Sequence, residues 1–593
     1  MKNIRVVFEP GMIEVDVPEG SKIISAIERS GIPFELPCGG KGICGKCGVI
    51  VLEGASTPTE TEKKLLGGKV KSGWRLACQS RIYHRCKILI EGKSSSYHKI
   101  LTTKVLCDMP RNPQITKKHI VLPQITLDNP VSLQEQMAMF LGMGIEQVSP
   151  LLLRDPSLYE GNDFTLVFCN GNIISIEKGD TTDQIYGIGF DLGTTTMVLT
   201  VFDLVNCREI ITVVRPNPQI KFGDDVISRI DFSLKESGLN TLCRVVVDEI
   251  NKMIDEAVKT AGIKRQHIYQ FVLSGNTVME HIFLNLPLKT LSRIPFNPVM
   301  KGPVEFPAYT SGLHMNPEGK LFVFPILGGF VGGDTTGLIL ATGIHKSEKI
   351  QVGIDIGTNG EIVIGNKDGI IAASTAAGPA FEGGRITFGM RAQIGALEKC
   401  WFSDGKLQWQ IIGGNSLKGI CGSGLVDLIT VLRQQGIIDE TGRFDENSSS
   451  QLAELLKSRD GNQLFNLEND NQSIYLTQKD VREFQAAKAA IRTGVEILMA
   501  IRNVKIDDIE HVYLAGALGN FVNIENIKNL KMLPDFRAET IVPSGNTSLA
   551  STLLFLCNAD LRKDIEYIAG ITKTVELSLY PSFQDIFTEA LLF

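Results

Sequence analysis

The sequence predicts a multidomain chain of α/β and α+β parts: a small N-terminal module, a short middle module and a large duplicated α/β region. Three observations predict it. Four cysteines stand in a glycine-rich setting near the N-terminus, a strand–turn motif headed by Asp191 is repeated at Asp355, and 593 residues exceed what one hydrophobic core supports. Hydrophobic residues make up 43% of the chain and charged residues 21%, the balance of ordinary globular domains. A net charge of −6 without a Lys/Arg run argues against nucleic acid as the main partner. The N-terminus has no apolar signal core, and no apolar run reaches ~18 residues, so no membrane partner and a cytoplasmic location are expected.

Residues 1–93 read as the first module. Ile4–Phe8 and Met12–Val17 alternate as short strands around the turn signal Glu9-Pro10-Gly11, and Ser21–Ser30 reads as a helix closed by Gly31. A cysteine loop follows, then strands at Gly48–Glu53 and Lys87–Glu91. The cysteines run C-x5-C-x2-C…C, as Cys38, Cys44, Cys47 and Cys78. That order wraps a [2Fe–2S] cluster, three thiolates coming from one loop and the fourth from a distant segment. Glycines 39, 40, 42, 45 and 48 let the loop fold tightly and aim N–H groups at sulfur. A zinc ribbon would need two C-x2-C pairs, and the chain has one. Cys86 is a rival fourth ligand, but its alternating strand context marks it as a core residue. The remaining cysteines lack paired spacing, which suits free thiols in a reducing compartment.

Residues 94–125, with Ser94–Ser96 and three prolines, read as a linker. Residues 126–185 read as a small α+β domain, with helices at 132–141 and around 146–153 and strands at 164–169 and 173–177. From 186 onward the pattern is strand, hairpin, helix, and it recurs after 350. Tyr186–Phe202 carries Asp191-Leu-Gly193-Thr-Thr-Thr196, and Val352–Ile364 carries Asp355-Ile-Gly357-Thr-Asn-Gly-Glu361. Such turns offer backbone amides and hydroxyls to phosphate oxygens, while the Asp holds Mg²⁺ through water. Two copies imply lobes of about 186–345 and 350–593. Three further readings are open between ligand contact and packing. Leu273–His281 forms a strand-to-helix turn capped by Asn276 or Thr277, with His281 structural; Gly419–Asp427 opens a helix; Lys488 and Arg492 lie off the apolar stripe of the helix 478–502 and are expected in solvent.

The first module resembles a β-grasp ferredoxin, and Arg75-Leu-Ala-Cys78-Gln is similar to the segment that bears the last ligand in that class. Its spacing departs from the plant type by one residue and matches the adrenodoxin-like variant. Region 186–593 resembles the actin-like ATPases that include acetate and sugar kinases and heat-shock chaperones. Asp191–Thr196 and Asp355–Glu361 look like their two phosphate motifs, Gly328–Thr342 and Gly545–Ala550 like their connecting helices, and Val512–Asn520 like their adenosine motif. The resemblance implies ATP and Mg²⁺ as cofactors. It implies that Asp191, Gly193, Thr194 and Thr195 hold phosphate and Mg²⁺ from one lobe, and Asp355, Gly357, Thr358 and Asn359 from the other. Asp334 would order the attacking water, with Glu361 in reserve, and Gly516 and Gly519 would make room for adenosine.

The whole chain resembles the reductive activators of corrinoid proteins. That resemblance implies docking on a corrinoid methyl carrier and donation of one electron that returns Co(II) to Co(I), with an external low-potential donor and a homodimer supported by the middle region. Each ~59 mV of unfavourable one-electron potential costs a factor of ten. Plant-type clusters lie near ~−400 mV, and the cobalt couple is expected lower, so ATP would offset a gap of ~100–200 mV, or roughly 2–5 kcal/mol. Two rivals remain at this stage: an activator of the 2-hydroxyacyl-CoA dehydratase type, which bridges a [4Fe–4S] cluster between subunits, and a nucleotide-gated redox sensor without turnover.

Overall fold

The computed structural model describes the chain except residues 1–2, 10–12, 31–46, 55, 90–109, 125–126, 128–129, 414–415, 460–461, 468–473 and 517–521. It divides into two units. One comprises Met1–Tyr97, Ala380–Gln485 and Leu592–Phe593; the other comprises His98–Pro379 and Ala486–Leu591.

In the first unit, alternation of apolar residues builds the N-terminal sheet from β1 (Asn3–Glu9), β2 (Ile13–Pro18), β3 (Gly48–Glu53), β4 (Trp74–Leu76) and β5 (Cys86–Leu89), in the order β2-β1-β5-β3-β4. Only the β1–β5 pair is parallel. Helix Ile23–Ser30 buries Ile23, Ala26 and Ile27 against Val6, Phe8, Val49 and Ile88, which gives the β-grasp core. Cys47 and Cys78 belong to that same core.

The second unit begins with a small sheet, β6 (Ile115–Val121), β7 (Asp163–Cys169) and β8 (Asn172–Lys178), with β7 central. Two expectations are corrected here. The segment 94–125 is not linker throughout, because Ile115–Val121 pairs along its whole length with β7. No helix spans 146–153; two short 3₁₀ turns, Ile145–Gln147 and Pro150–Leu153, stand there instead, since Pro150 cannot donate in a continuous helix.

Glu177 on β8 anchors this sheet. Lys117 Nζ lies 2.5 Å from its Oε2, while Tyr269 Oη donates to Oε1 at 2.5 Å and His267 Nδ1 stands 3.0 Å away. Burial alone would raise the Glu177 pKa, but hydrogen bonds from His267, Lys117, Thr181 and Tyr269 prevail and bring it to about 2. A depressed carboxylate stabilises the fold above its unfolded pKa, and that contribution vanishes as pH falls through the folded value. Melting temperature should therefore drop between about pH 4.5 and 2, and E177Q should flatten that part of the profile. An unchanged slope in E177Q would dismiss the anchor.

Two six-stranded sheets follow. The first contains β9 (Tyr186–Leu192), β10 (Thr196–Asp203), β11 (Arg208–Pro216), β12 (Ile268–Gly275), β13 (Val304–Pro307) and β14 (Lys320–Val323), ordered β11-β10-β9-β12-β14-β13. Downstream come β15 (Ile350–Ile356), β16 (Gly360–Asn366) and β17 (Gly369–Thr375). The first unit then receives β18 (Ala396–Ser403), β19 (Lys406–Ile411), β20 (Gly419–Ile420), β21 (Leu456–Arg459), β22 (Asn462–Asn466) and β23 (Tyr475–Thr477), in two three-stranded sheets. The chain returns with β24 (Ile509–Gly516), β25 (Ile541–Gly545) and β26 (Thr572–Thr574), giving the order β25-β24-β15-β16-β17-β26. Each large sheet starts with an antiparallel three-strand meander and adds a parallel strand beside its first member: β12 beside β9, β24 beside β15. This is the duplication expected of an actin-like ATPase fold. Helices Gly333–Thr342 and Thr547–Cys557 share one core with both sheets, through Leu338, Leu553 and Phe555 with Phe322, Val363 and Ala515.

Candidate functional site

The candidate nucleotide site lies where the two repeated turns meet. Gly193 closes the first turn: a Cβ there would stand 2.4 Å from the Thr196 carbonyl oxygen. In the second turn the Gly357 N–H donates to Asn359 O at 3.0 Å. The turns touch through hydroxyls, with Thr195 Oγ1 2.7 Å from Thr358 Oγ1. Thr194 Oγ1 accepts from Asn276 Nδ2 at 2.8 Å, and the same Asn276 caps helix Thr277–Phe283 through its Oδ1. The helix-cap reading of that turn therefore holds.

Asp191 ends β9 and is fixed from the second connecting helix. Asn546 Nδ2 donates to its Oδ2 at 2.7 Å, and Ser548 Oγ to its Oδ1 at 2.8 Å. Asp355 ends β15 and sits against Gly516, whose φ of +82° and missing side chain are both used: a Cβ would lie 2.3 Å from Asp355 Oδ1. Gly516 thus packs on a phosphate-motif carboxylate; Gly519 lies outside the described residues. Asp334 is in the first turn of helix Gly333–Thr342 and accepts from Thr335 N–H at 2.7 Å. Burial foremost, with the nearby Asp191 charge adding to it, pushes Asp334 up to about 7. Glu361 pairs with Asp355 across the β15–β16 hairpin. Burial first, then Asp334 and Asp355, holds it well above the usual carboxylate range. Four crowded carboxylates beside glycine turns and hydroxyls form a donor set that suits a divalent cation and phosphate oxygens.

At the redox end, Cys47 and Cys78 are buried with their Sγ atoms 3.2 Å apart. That separation is too long for a disulfide and lets one metal ion engage both sulfurs. Gln79 Nε2 approaches Cys78 Sγ at 3.6 Å. The donor chemistry fits a thiolate-held cluster, and Cys38 and Cys44 lie outside the described residues. Cys86 is a buried core residue, as expected: its Sγ lies 3.1 Å from Gly54 O and 3.0 Å from His84 O, and burial pushes the thiol up to about 11.

Comparisons with known proteins agree with this geometry. Residues 7–83 match the 2Fe-2S iron–sulfur cluster binding domain, 186–347 the RACo middle region, and 349–593 the C-terminal domain of RACo, the ASKHA domain. The corrinoid activation enzyme RamQ of Eubacterium limosum is 33% identical, with 98% of each chain covered. The chain belongs to the RACo family.

A further relative of this RACo-family chain, the [Co(II) methylated amine-specific corrinoid protein] reductase of Methanosarcina barkeri, is 27% identical over 62% of this chain and 69% of its own. Among solved structures, a reductive activator for corrinoid, iron-sulfur protein superposes with a TM-score of 0.74 at 31% identity, covering 100% of this chain and 98% of that one. The family's cofactors are a [2Fe–2S] cluster and ATP with Mg²⁺.

Sequence reasoning missed four supports of these sites. Glu62 is buried in the ferredoxin core and accepts from Leu76 N–H at 2.9 Å and Ser80 Oγ at 2.6 Å, pinning the segment that bears Cys78. Its signal was present in Thr59-x-x-Glu62, a capping box. Arg229, fully buried, donates from Nη2 to Thr194 O at 2.6 Å, and Asn217 Nδ2 donates to Gly193 O at 2.9 Å; neither carries a local motif. Glu280 is the fourth. His281 is structural as expected, its Nδ1 2.7 Å from Thr277 O and its Nε2 accepting from Val299 N–H at 3.0 Å. Gly419–Asp427 serves close packing, since a Cβ on Gly424 would meet Leu397 O at 2.1 Å. Lys488 is a correction: it is fully buried with Nζ donating to Ala590 O at 2.7 Å, because its helix is covered beyond the apolar stripe.

Proposed function

We propose that this chain is an ATP-dependent reductive activator: it binds a corrinoid protein and returns its cobalt from Co(II) to Co(I), one electron per event. The carrying observation is the hydroxyl contact of Thr195 with Thr358, set among Asp191, Asp334, Asp355 and Glu361, in a chain that also places Cys47 beside Cys78. When bound, the [2Fe–2S] cluster supplies a low-potential one-electron couple. Cys38, Cys44, Cys47 and Cys78 hold it, and Gln79 tunes it by donating toward sulfur.

Gly193, Thr194, Thr195, Gly357, Thr358 and Asn359 cradle the phosphates, and Asp191 and Asp355 orient Mg²⁺. Phosphoryl transfer depends on positioning and charge neutralisation, so fixed donors matter more than covalent chemistry. We assign Asp334 to ordering a water that approaches the terminal phosphate, with Glu361 in reserve, and Gly516 and Gly519 to the adenosine end. A nucleotide that draws the two turns together stabilises one arrangement of the lobes. Only a difference in partner affinity between arrangements can drive the electron uphill.

An external low-potential donor must refill the cluster, since each event removes one electron. The lack of paired spacing among the cysteines outside the cluster motif supports a reducing, cytoplasmic setting. Among the described residues no helix is long and apolar enough to cross a membrane. Exposed Met139, Phe140, Leu151 and Tyr159 on the middle module support a homodimer, which sedimentation velocity decides. The activity itself is tested by following the Co(II)-to-Co(I) absorbance change in candidate corrinoid proteins with reductant. Co(I) should accumulate with MgATP and fail to accumulate without it. Equal yields in both arms would remove the function.

A further inference from the structure

Glu280, the fourth of those supports, has no assigned part in the proposed function. It lies on helix Thr277–Phe283, immediately after β12, and its side chain is fully buried. Oε1 accepts from the Gly275 N–H at 3.1 Å, and the carboxyl lies against Gly333. A Cβ on Gly333 would stand 2.3 Å from that Oε1, so glycine at 333 is what lets the carboxyl reach the start of the connecting helix. Gly332 abuts the same turn, where a Cβ would come within 2.5 Å of Asn276 Cα. Asp334 is the next residue along. Asn276, on the other side of the turn, holds the Thr194 hydroxyl.

Among the described residues, the second oxygen, Oε2, is buried without a hydrogen-bond partner. Burial above all, and then the Asp334 charge, holds the carboxyl well above the usual range, which favours its protonated form, and a protonated carboxyl keeps one donor. An unmade bond on a buried polar atom is costly, and such atoms in native structures mark sites completed by a water, an ion or a ligand.

We propose that Glu280 is a positioning residue of the ATPase: it locks the Gly275–Asn276 turn to the first turn of the helix bearing Asp334, and so sets where Asp334 stands relative to the Thr194 turn. The inference deepens the nucleotide-site reading and rests on it. It assigns no proton transfer to Glu280, only the Gly275 N–H bond, the contact with Gly333 and a bond from Oε2 completed on nucleotide binding.

The test measures MgATP hydrolysis by the full chain, with KM, kcat and thermal midpoint, in E280A, E280Q and G333A. E280A should lower kcat at least about tenfold with KM for MgATP within about threefold, because the water's orientation is lost rather than nucleotide affinity. E280Q, which keeps the shape and both hydrogen-bonding functions, should restore kcat to within about threefold of the unaltered chain. G333A drives a methyl into Oε1 and should reproduce the E280A loss, which keeps the test alive if E280A does not fold. The inference is overturned if E280A keeps kcat, if E280Q is as impaired as E280A, or if kcat and thermal midpoint fall together while KM rises. Absence of MgATP hydrolysis in the unaltered chain would instead remove the underlying nucleotide reading.

Discussion

Replacing Asp191 with alanine is expected to lower MgATP hydrolysis by about 10²–10³-fold, the cost of removing one preorganised group from a transition-state charge site. Both its oxygens are held, by Asn546 Nδ2 at 2.7 Å and Ser548 Oγ at 2.8 Å, so the carboxylate pays little to reach its working position. The same substitution should leave the thermal midpoint within a few degrees. Losing two hydrogen bonds is offset by relief of like-charge crowding, since Asp191 is one of the groups that raise Asp334. Hydrolysis rates and a melting curve on the same preparation check it. Near-normal turnover in D191A would remove Asp191 from the metal-orienting role, and a collapsed melting curve would make it structural.

The second large effect separates the two ends of the chain. Cys78→Ser should abolish the visible absorption and EPR signal of the reconstituted cluster and reduce Co(I) formation more than about a hundredfold, while basal MgATP hydrolysis persists. The reasoning is chemical: a thiolate is the sulfur ligand a cluster needs, and a hydroxyl does not replace it. Cys86→Ser is the control inside the same core. Its thiol already donates to two carbonyls and is held protonated by burial, so the cluster spectrum should remain. A full spectrum in C78S, or a lost one in C86S, would reassign the fourth ligand.

The ferredoxin strands and the paired D-x-G-T turns were legible because each is a local pattern. Alternation sets which face of β1 and β2 is buried, and a glycine two residues after an aspartate sets the turn. The linker expectation failed at Ile115–Val121 because a strand whose partner lies some fifty residues away, at Asp163–Cys169, leaves only a weak alternating trace among charged residues. Lys488 misled for a related reason: a lysine off the apolar stripe is solvated unless another segment covers it, and Ala590 comes from the far end of the chain.

What the sequence determined alone was ligand chemistry: cysteines spaced for iron, and aspartate–glycine–threonine turns shaped for phosphate, both properties of a few consecutive residues. Only the tertiary structure decided which groups complete those sites. Thr195 meets Thr358, Asn546 and Ser548 grip Asp191, and Glu280 reaches Gly333, because two duplicated sheets and their connecting helices bury one common core. Contacts between residues hundreds of positions apart are fixed by the packing of that core, and no local pattern encodes them.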